Sequence, residues 1–177
     1  MALISKKICL IGDFGVGKTS LIRRFVDRQF SDQYLSTVGV KISRKQVDLV
    51  ASETGSQQSI QLLIWDLEGH TKFKGITPSY LQGASGAVVV GDVTRQETLD
   101  NISEHINLFL SINPKAWVVV AFNKIDLLDP ENLEGLIHQS SNNKTNQILS
   151  TYQTSAKTGA YVDEMFHLLS HQFIPKI

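Results

Sequence analysis

Ten residues, "IGDFGVGKTS" from Ile11 to Ser20, limit the possible folds of this 177-residue chain more than any other stretch. They satisfy G-x-x-x-x-G-K-[ST] as Gly12, Gly17, Lys18 and Thr19. The apolar run Leu3–Ile11 precedes them and reads as a buried strand. Lys18–Arg28 follows, with Leu21, Ile22 and Phe25 on one helical face. Strand, glycine loop and helix in that order let the backbone N–H groups of Asp13, Phe14, Gly15, Val16 and Gly17 wrap a phosphate chain. The first helical residues, Lys18 to Ser20, add the favourable end of the helix dipole. Lys18 would neutralise the outer phosphates and the Thr19 hydroxyl would ligate Mg²⁺. The competing reading is a glycine-rich turn with an exposed lysine.

The rest of the chain alternates between the same two kinds of element. Val38–Val50 and Ser59–Asp66 read as strands joined by the polar turn "ASETGSQQ". "AVVVGDV" (Ala87–Val93) and "AWVVVAF" (Ala116–Phe122) are β-branched runs, as central parallel strands require. Glu97–Ile112 has helical spacing through Leu99, Ile102, Ile106 and Phe109, and Pro114 follows its end. Glu131–Gln139 is a further helix, Ile148–Gln153 a last strand and Val162–Phe173 a closing helix, with "SSNNKTNQ" as a polar loop between. No Pro- or Gly-rich linker divides the chain, so residues 1–177 form one three-layer α/β domain with a mainly parallel sheet. Apolar residues are 42% and charged residues 19%, ordinary for a globular chain. Lys plus Arg and Asp plus Glu are 17 each, which gives no field to attract nucleic acid. The single cysteine, Cys9, allows no internal disulfide and suits a reducing, cytoplasmic setting. The N-terminal "ICLI" is too short for a signal-peptide core, and no run of about 18 apolar residues offers a membrane span.

Two later segments name the base. "NKID", Asn123 to Asp126, comes directly off an apolar strand, at the end where open α/β sheets hold ligands. A carboxylate at Asp126 can accept from the ring N–H and the amino group of guanine. Adenine lacks that ring N–H, and burying unmatched polar groups rejects it. "TSAK", Thr154 to Lys157, follows the last strand, where the Ala156 N–H can meet the guanine carbonyl, flanked by Ser155 and Lys157. Alone, each segment is an ordinary strand-end turn; together and in this order, after strands, they are not. "WDLEG" places Asp66 at a strand end, suited to Mg²⁺ through water, and Gly69 where an N–H meets a γ-phosphate. In "STVGV", Thr37 offers a second hydroxyl to Mg²⁺, or is simply a strand-favouring threonine.

With these motifs the chain resembles the Ras-superfamily small GTPases, most of all the Rab branch, over essentially its whole length. "STVGVKI", "WDLEGHTKFKGITPSYLQGA" and "VVGDVT" are Rab-like in detail. The resemblance implies a six-stranded sheet with five helices, GTP and GDP as bound nucleotides, Mg²⁺, and a monomer. It places Phe30 against the guanine and Tyr34 over the phosphates. It implies effectors and regulators acting through two segments, 30–41 and 67–81, that order around the γ-phosphate. Of the Rab aromatic cluster, Trp65 and Tyr80 are present, and Ile42 holds the third position.

The departures from that pattern concern hydrolysis. Phe14 stands where the family has a small residue beside the γ-phosphate, the attacking water and any incoming arginine. Such an arginine contributes on the order of 10³–10⁵ in rate. A ring there obstructs it, unless the ring turns outward over the first switch. After Gly69 the family carries a water-orienting glutamine; here His70 takes the position, with a different reach and a pH-dependent charge. Glu68 replaces a small residue and adds negative charge. The chain ends at "FIPKI", with neither the flexible tail nor the prenylated cysteines of Rab proteins, so this chain is expected to hold no intrinsic membrane anchor. Two functions follow: a slow GTP-hydrolysing switch, or a GTP-dependent binding module that scarcely hydrolyses. An ATP-using enzyme is disfavoured by "NKID" and by the lack of a nucleotide-kinase lid.

Overall fold

Alternation along the strands divides the interior in two, and both halves are apolar. In β1 (Ile4–Gly12), Ile8 and Leu10 point to one face of the sheet, Cys9 and Ile11 to the other. β4 (Gly86–Asp92) and β5 (Trp117–Asn123) do the same: Val88, Val90, Val119 and Ala121 face one way, Val89, Val118, Val120 and Phe122 the other. Strands apolar on both faces need a helical layer on each side. The computed structural model supplies both, and describes residues 3–33, 37, 39–50, 55–67, 78–140 and 145–175, apart from the side chains of 138–140.

β2 (Val40–Val50) pairs antiparallel with β3 (Gln57–Leu67), and β6 (Ile148–Thr154) completes a sheet of six strands in the order β2-β3-β1-β4-β5-β6. Every other pairing is parallel. Helix α1 (Lys18–Asp27) covers one face through Leu21, Ile22 and Phe25, beside α6 (Val162–His171) with Met165, Phe166 and Leu169. The Phe25 and Phe166 rings stack there at 4.2 Å between centroids. The opposite face carries α2 (Pro78–Leu81), α3 (Gln96–Asp100), α4 (Ile102–Ile112) and α5 (Pro130–Ser140), anchored by Leu81, Leu99, Phe109 and Leu133.

Two local expectations needed correction, and two short elements went unread. The single helix read over Glu97–Ile112 is interrupted at Asn101, so α3 and α4 form one run in two parts and the described helical runs number five. The turn "ASETGSQQ" is shorter than its polar composition suggests. Val50 already pairs with Gln57, so Gln57 and Gln58 belong to β3, beyond the Ile60 end of its pairing with β1. The short α2 and a 3-10 turn over Ile125–Leu127 leave too few residues for any periodic signal. Among the described residues no helix is long and apolar enough to cross a membrane.

Candidate nucleotide-binding site

Strands β1, β3, β4, β5 and β6 all end at one edge of the sheet, and a cleft of about 330 Å³ opens there. The glycine loop and the first turn of α1 line it with Phe14, Gly15, Gly17, Lys18, Thr19 and Ser20. Phe30 and Thr37 close one side; Asn123, Lys124 and Asp126 come from the end of β5, and Ala156 and Lys157 follow β6. Segments more than a hundred residues apart thus meet around one space. Tyr34, Glu68, Gly69 and His70 lie outside the described residues, as does most of the segment 67–81.

The glycine loop is held by its carbonyls. Lys18 Nζ donates to the oxygens of Gly12 (2.8 Å) and Asp13 (2.9 Å). Arg95 Nη2 donates to Phe14 O (2.6 Å), Lys124 Nζ to Gly15 O (2.7 Å) and Asn123 Nδ2 to Val16 O (3.0 Å). Five consecutive carbonyls, from residue 12 to residue 16, therefore have side-chain donors. In a trans peptide the following N–H points opposite to the carbonyl. Tying the carbonyls of 14–16 to these donors turns the next N–H groups to the other side of the loop. Gly17 leads into α1 at φ 102° with no side-chain cap, so the first-turn N–H groups add to a concave anion site. Only glycine fits there: a Cβ on Gly17 would lie 2.4 Å from Asn123 Nδ2, on a backbone already in the left-handed region.

Lys18, which lines the cleft, and Asp66, bonded to Thr19, are both buried. Burial pushes the Lys18 ammonium down to about 8, although the carboxylates of Asp66 and Asp13 favour its charged form. Burial likewise raises the Asp66 carboxyl above its ordinary value, opposed by the Thr19 hydrogen bond, the Lys18 and Lys41 charges and Thr37. Thr19 Oγ1 donates to Asp66 Oδ2 at 2.6 Å and lies 2.7 Å from Thr37 Oγ1. Asp66 Oδ1 is buried with no hydrogen-bond partner among the described residues. Two hydroxyls and one carboxylate, all hard oxygens, with one oxygen unmatched, fit Mg²⁺. That ion takes few protein ligands and completes its shell with water and phosphate.

The base-side residues are equally tied. Asn123 is buried and also accepts from Thr154 Oγ1 (3.1 Å). Ser155 Oγ donates to Asp126 Oδ1 (2.6 Å), and Arg24 of α1 donates to the carbonyls of Ala156 and Lys157. Lys124 has φ 69°, an uncommon conformation for a residue with a Cβ, and its Nζ bonds hold it in place. Phe30 is half-buried and packs against the core beneath α1 and α6. Val16 is core, whereas the Asp13 carboxylate turns away from the cleft to Asn101 Nδ2 (2.7 Å) and His105 Nε2 (2.8 Å). Sequence reasoning missed that pair, and missed Asp92, Arg95 and Arg24. The one available signal was "DVT", an Asp two residues before a Thr at a strand end, which forms an Asx turn.

The Ras family model matches residues 7–174, the whole span that carries this site. The chain belongs to the Ras family. Within it, this Rab-like small GTPase is 34% identical to the Ras-related protein Rab-1C of Dictyostelium discoideum over 161 residues, 90% of this chain and 76% of that protein. Human Ras-related protein Rab-22A is 30% identical over 174 residues, covering 97% of this chain and 85% of the relative. Ras-related protein Rab-10 of Caenorhabditis elegans is 32% identical with 97% and 82% covered. The six-stranded α/β domain is the P-loop fold expected of such a GTPase, and family membership implies guanine nucleotide, effectors and regulators.

Proposed function

We propose that this Rab-like GTPase is a Mg²⁺-dependent switch that binds GTP and GDP tightly and hydrolyses GTP slowly. The observation that carries this reading is the convergence of the glycine loop, "NKID" and "TSAK" on one cleft, with Thr19, Thr37 and Asp66 grouped at one side of it. Asp126 would accept from guanine, and the Ala156 N–H would meet its carbonyl oxygen. Lys18 and the loop N–H groups would hold the phosphates under Tyr34, and Phe30 would pack against the guanine. Bound Mg²⁺ would neutralise charge developing on the phosphate oxygens. Thr37 joins the first switch segment to that arrangement, so effectors acting through 30–41 and 67–81 would sense the γ-phosphate. Gly69 would contribute its N–H to that phosphate and His70 would orient the water. The buried free thiol of Cys9 agrees with a reducing, cytoplasmic setting.

Slow hydrolysis is supported by Phe14, which lines the cleft and remains 38% exposed, since a bulky residue there would obstruct an incoming arginine. The same feature favours the second reading, a GTP-dependent binding module with negligible turnover. Nucleotide released from freshly purified protein by heat, and identified by ion-exchange chromatography, tests the common part. GDP or GTP near one equivalent is expected. Purified protein that takes up ATP as tightly as GTP would end the guanine reading. Single-turnover phosphate release then separates a slow enzyme from an inert module.

A further inference from the structure

Of the donors that hold the phosphate loop, Arg95 belongs to no nucleotide-binding motif. It follows β4 on a tight turn, where its N–H donates to Asp92 O (2.9 Å). The Asp92 carboxylate fastens that turn, since Oδ1 accepts from Thr94 N (2.9 Å) and Thr94 Oγ1 (2.6 Å). Thr98 Oγ1 donates to Arg95 O at 2.8 Å, so the backbone of Arg95 is fixed before its side chain is considered. The guanidinium then spans two groups, Nη2 on Phe14 O (2.6 Å) and Nε on Asp92 Oδ2 (3.3 Å). Lys124 Nζ reaches the same Asp92 Oδ2 at 2.7 Å and also Gly15 O at 2.7 Å. A closed circuit results: Phe14 carbonyl, Arg95, Asp92, Lys124, Gly15 carbonyl. Asp92 sits at its centre, 1% exposed. Burial alone would raise its carboxyl, but Lys124 and Thr94 carry it below the ordinary value, so it stays charged between two cations.

We propose that Arg95 is a positioning residue of the nucleotide site. It holds the Phe14 carbonyl away from the phosphates, so that the Gly15 N–H faces them, and through Asp92 it ties the phosphate loop to the base-recognition segment at Lys124. The inference rests on the guanine-nucleotide reading given above. It adds a residue outside the nucleotide-binding motifs, and it predicts that phosphate and base contacts are released together. Because the clamp grips the backbone of Phe14, it also fixes the point from which that bulky ring departs.

The test uses the full chain loaded with a fluorescent GDP in Mg²⁺, chased with excess unlabelled GDP. Arg95→Ala removes a charge-assisted hydrogen bond, and release about tenfold faster is expected. Arg95→Lys recovers part of that loss, since an ammonium reaches one of the two partners. In a double-mutant cycle, Arg95→Ala and Lys124→Ala together accelerate release less than the product of the single effects, because both act through Asp92. Urea unfolding of the nucleotide-free protein separates positioning from mere support. The Arg95→Ala midpoint should fall by less than the change in release corresponds to, since Lys124 and Thr94 still partner the Asp92 carboxylate. An unchanged release rate in Arg95→Ala, multiplicative effects in the cycle, or an equal loss of stability without nucleotide would each overturn the proposal. Wild-type protein that binds no guanine nucleotide overturns both this and the functional reading; normal binding with an unaltered Arg95→Ala overturns this one alone.

Discussion

Lys18 sets the stability of the empty pocket, and the effect has a definite sign. An ordinary lysine titrates at 10.5, and burial in the cleft brings Lys18 to about 8. At about 1.4 kcal/mol per tenfold change in proton affinity, the charged form is disfavoured by about 3 kcal/mol in the folded, nucleotide-free protein. In the unfolded chain Lys18 keeps its proton until pH 10.5, whereas the folded chain has released it above 8. Between those values the unfolded state binds more protons, so stability rises with pH. Cys9 works the other way. Burial pushes its thiol from 9.0 up to about 12, so above pH 9 ionisation favours the unfolded chain. The two trends overlap, and wild-type protein alone would show a blunted curve. Lys18→Met removes one and leaves the other. With EDTA and phosphatase-treated protein, urea unfolding is followed by far-UV circular dichroism from pH 7 to 10.5. The wild-type stability minus that of Lys18→Met should climb by about 3 kcal/mol, beginning near pH 8. Parallel curves for the two proteins would mean that Lys18 is well solvated in the empty cleft, and would refute the calculation.

Asp126→Ala should lower the preference for GTP over ATP in competition titrations by tenfold or more, since the site then lacks its acceptor for guanine's ring and amino hydrogens. Thr37→Ala should leave GDP affinity within about twofold while weakening effector binding to the GTP form. Loss of GDP binding as severe as in Lys18→Ala would assign Thr37 a different role. Single-turnover phosphate release from Phe14→Gly combined with His70→Gln should exceed the wild-type rate. Phe14→Gly alone should respond chiefly to an added Rab-activating protein, and His70→Gln alone without one. The two side chains would share the space around one water, so their effects need not add. A fast wild-type rate that the double substitution leaves unchanged would show that neither side chain impedes chemistry.

The sheet was legible because its central strands are apolar on both faces, a pattern few other structures tolerate. Val88, Val89 and Val90 sit fully buried on alternating sides, as their sequence suggests. The cleft was legible because its glycines and Lys18, Thr19, Asn123 and Asp126 fall at strand ends in fixed order. Pairwise geometry was not legible. Nothing in "DVTRQ" announces that Arg95 reaches back 81 residues to the Phe14 carbonyl. Nor does "NISEH" indicate that His105 meets the Asp13 carboxylate, a contact set by how α4 docks on the sheet. The break at Asn101 was invisible for the same reason, since hydrophobic spacing continues through it. Asp13 looked like a phosphate-loop residue; its carbonyl accepts from Lys18, while its side chain belongs to the helical layer.

The separation of Val16 from Asn123, 107 positions along the chain, has a consequence for synthesis. The glycine loop is translated well before the amide that holds its carbonyl. At about 5–20 residues per second, that interval is on the order of 5–20 s. The central strand, β1, waits equally for β4 on one side, although β3 arrives sooner on the other. A nascent chain therefore carries the signature of a nucleotide site long before it has the site. Capture of the ligand waits on that interval: only a chain made through Asn123 and the residues after β6 can close around it.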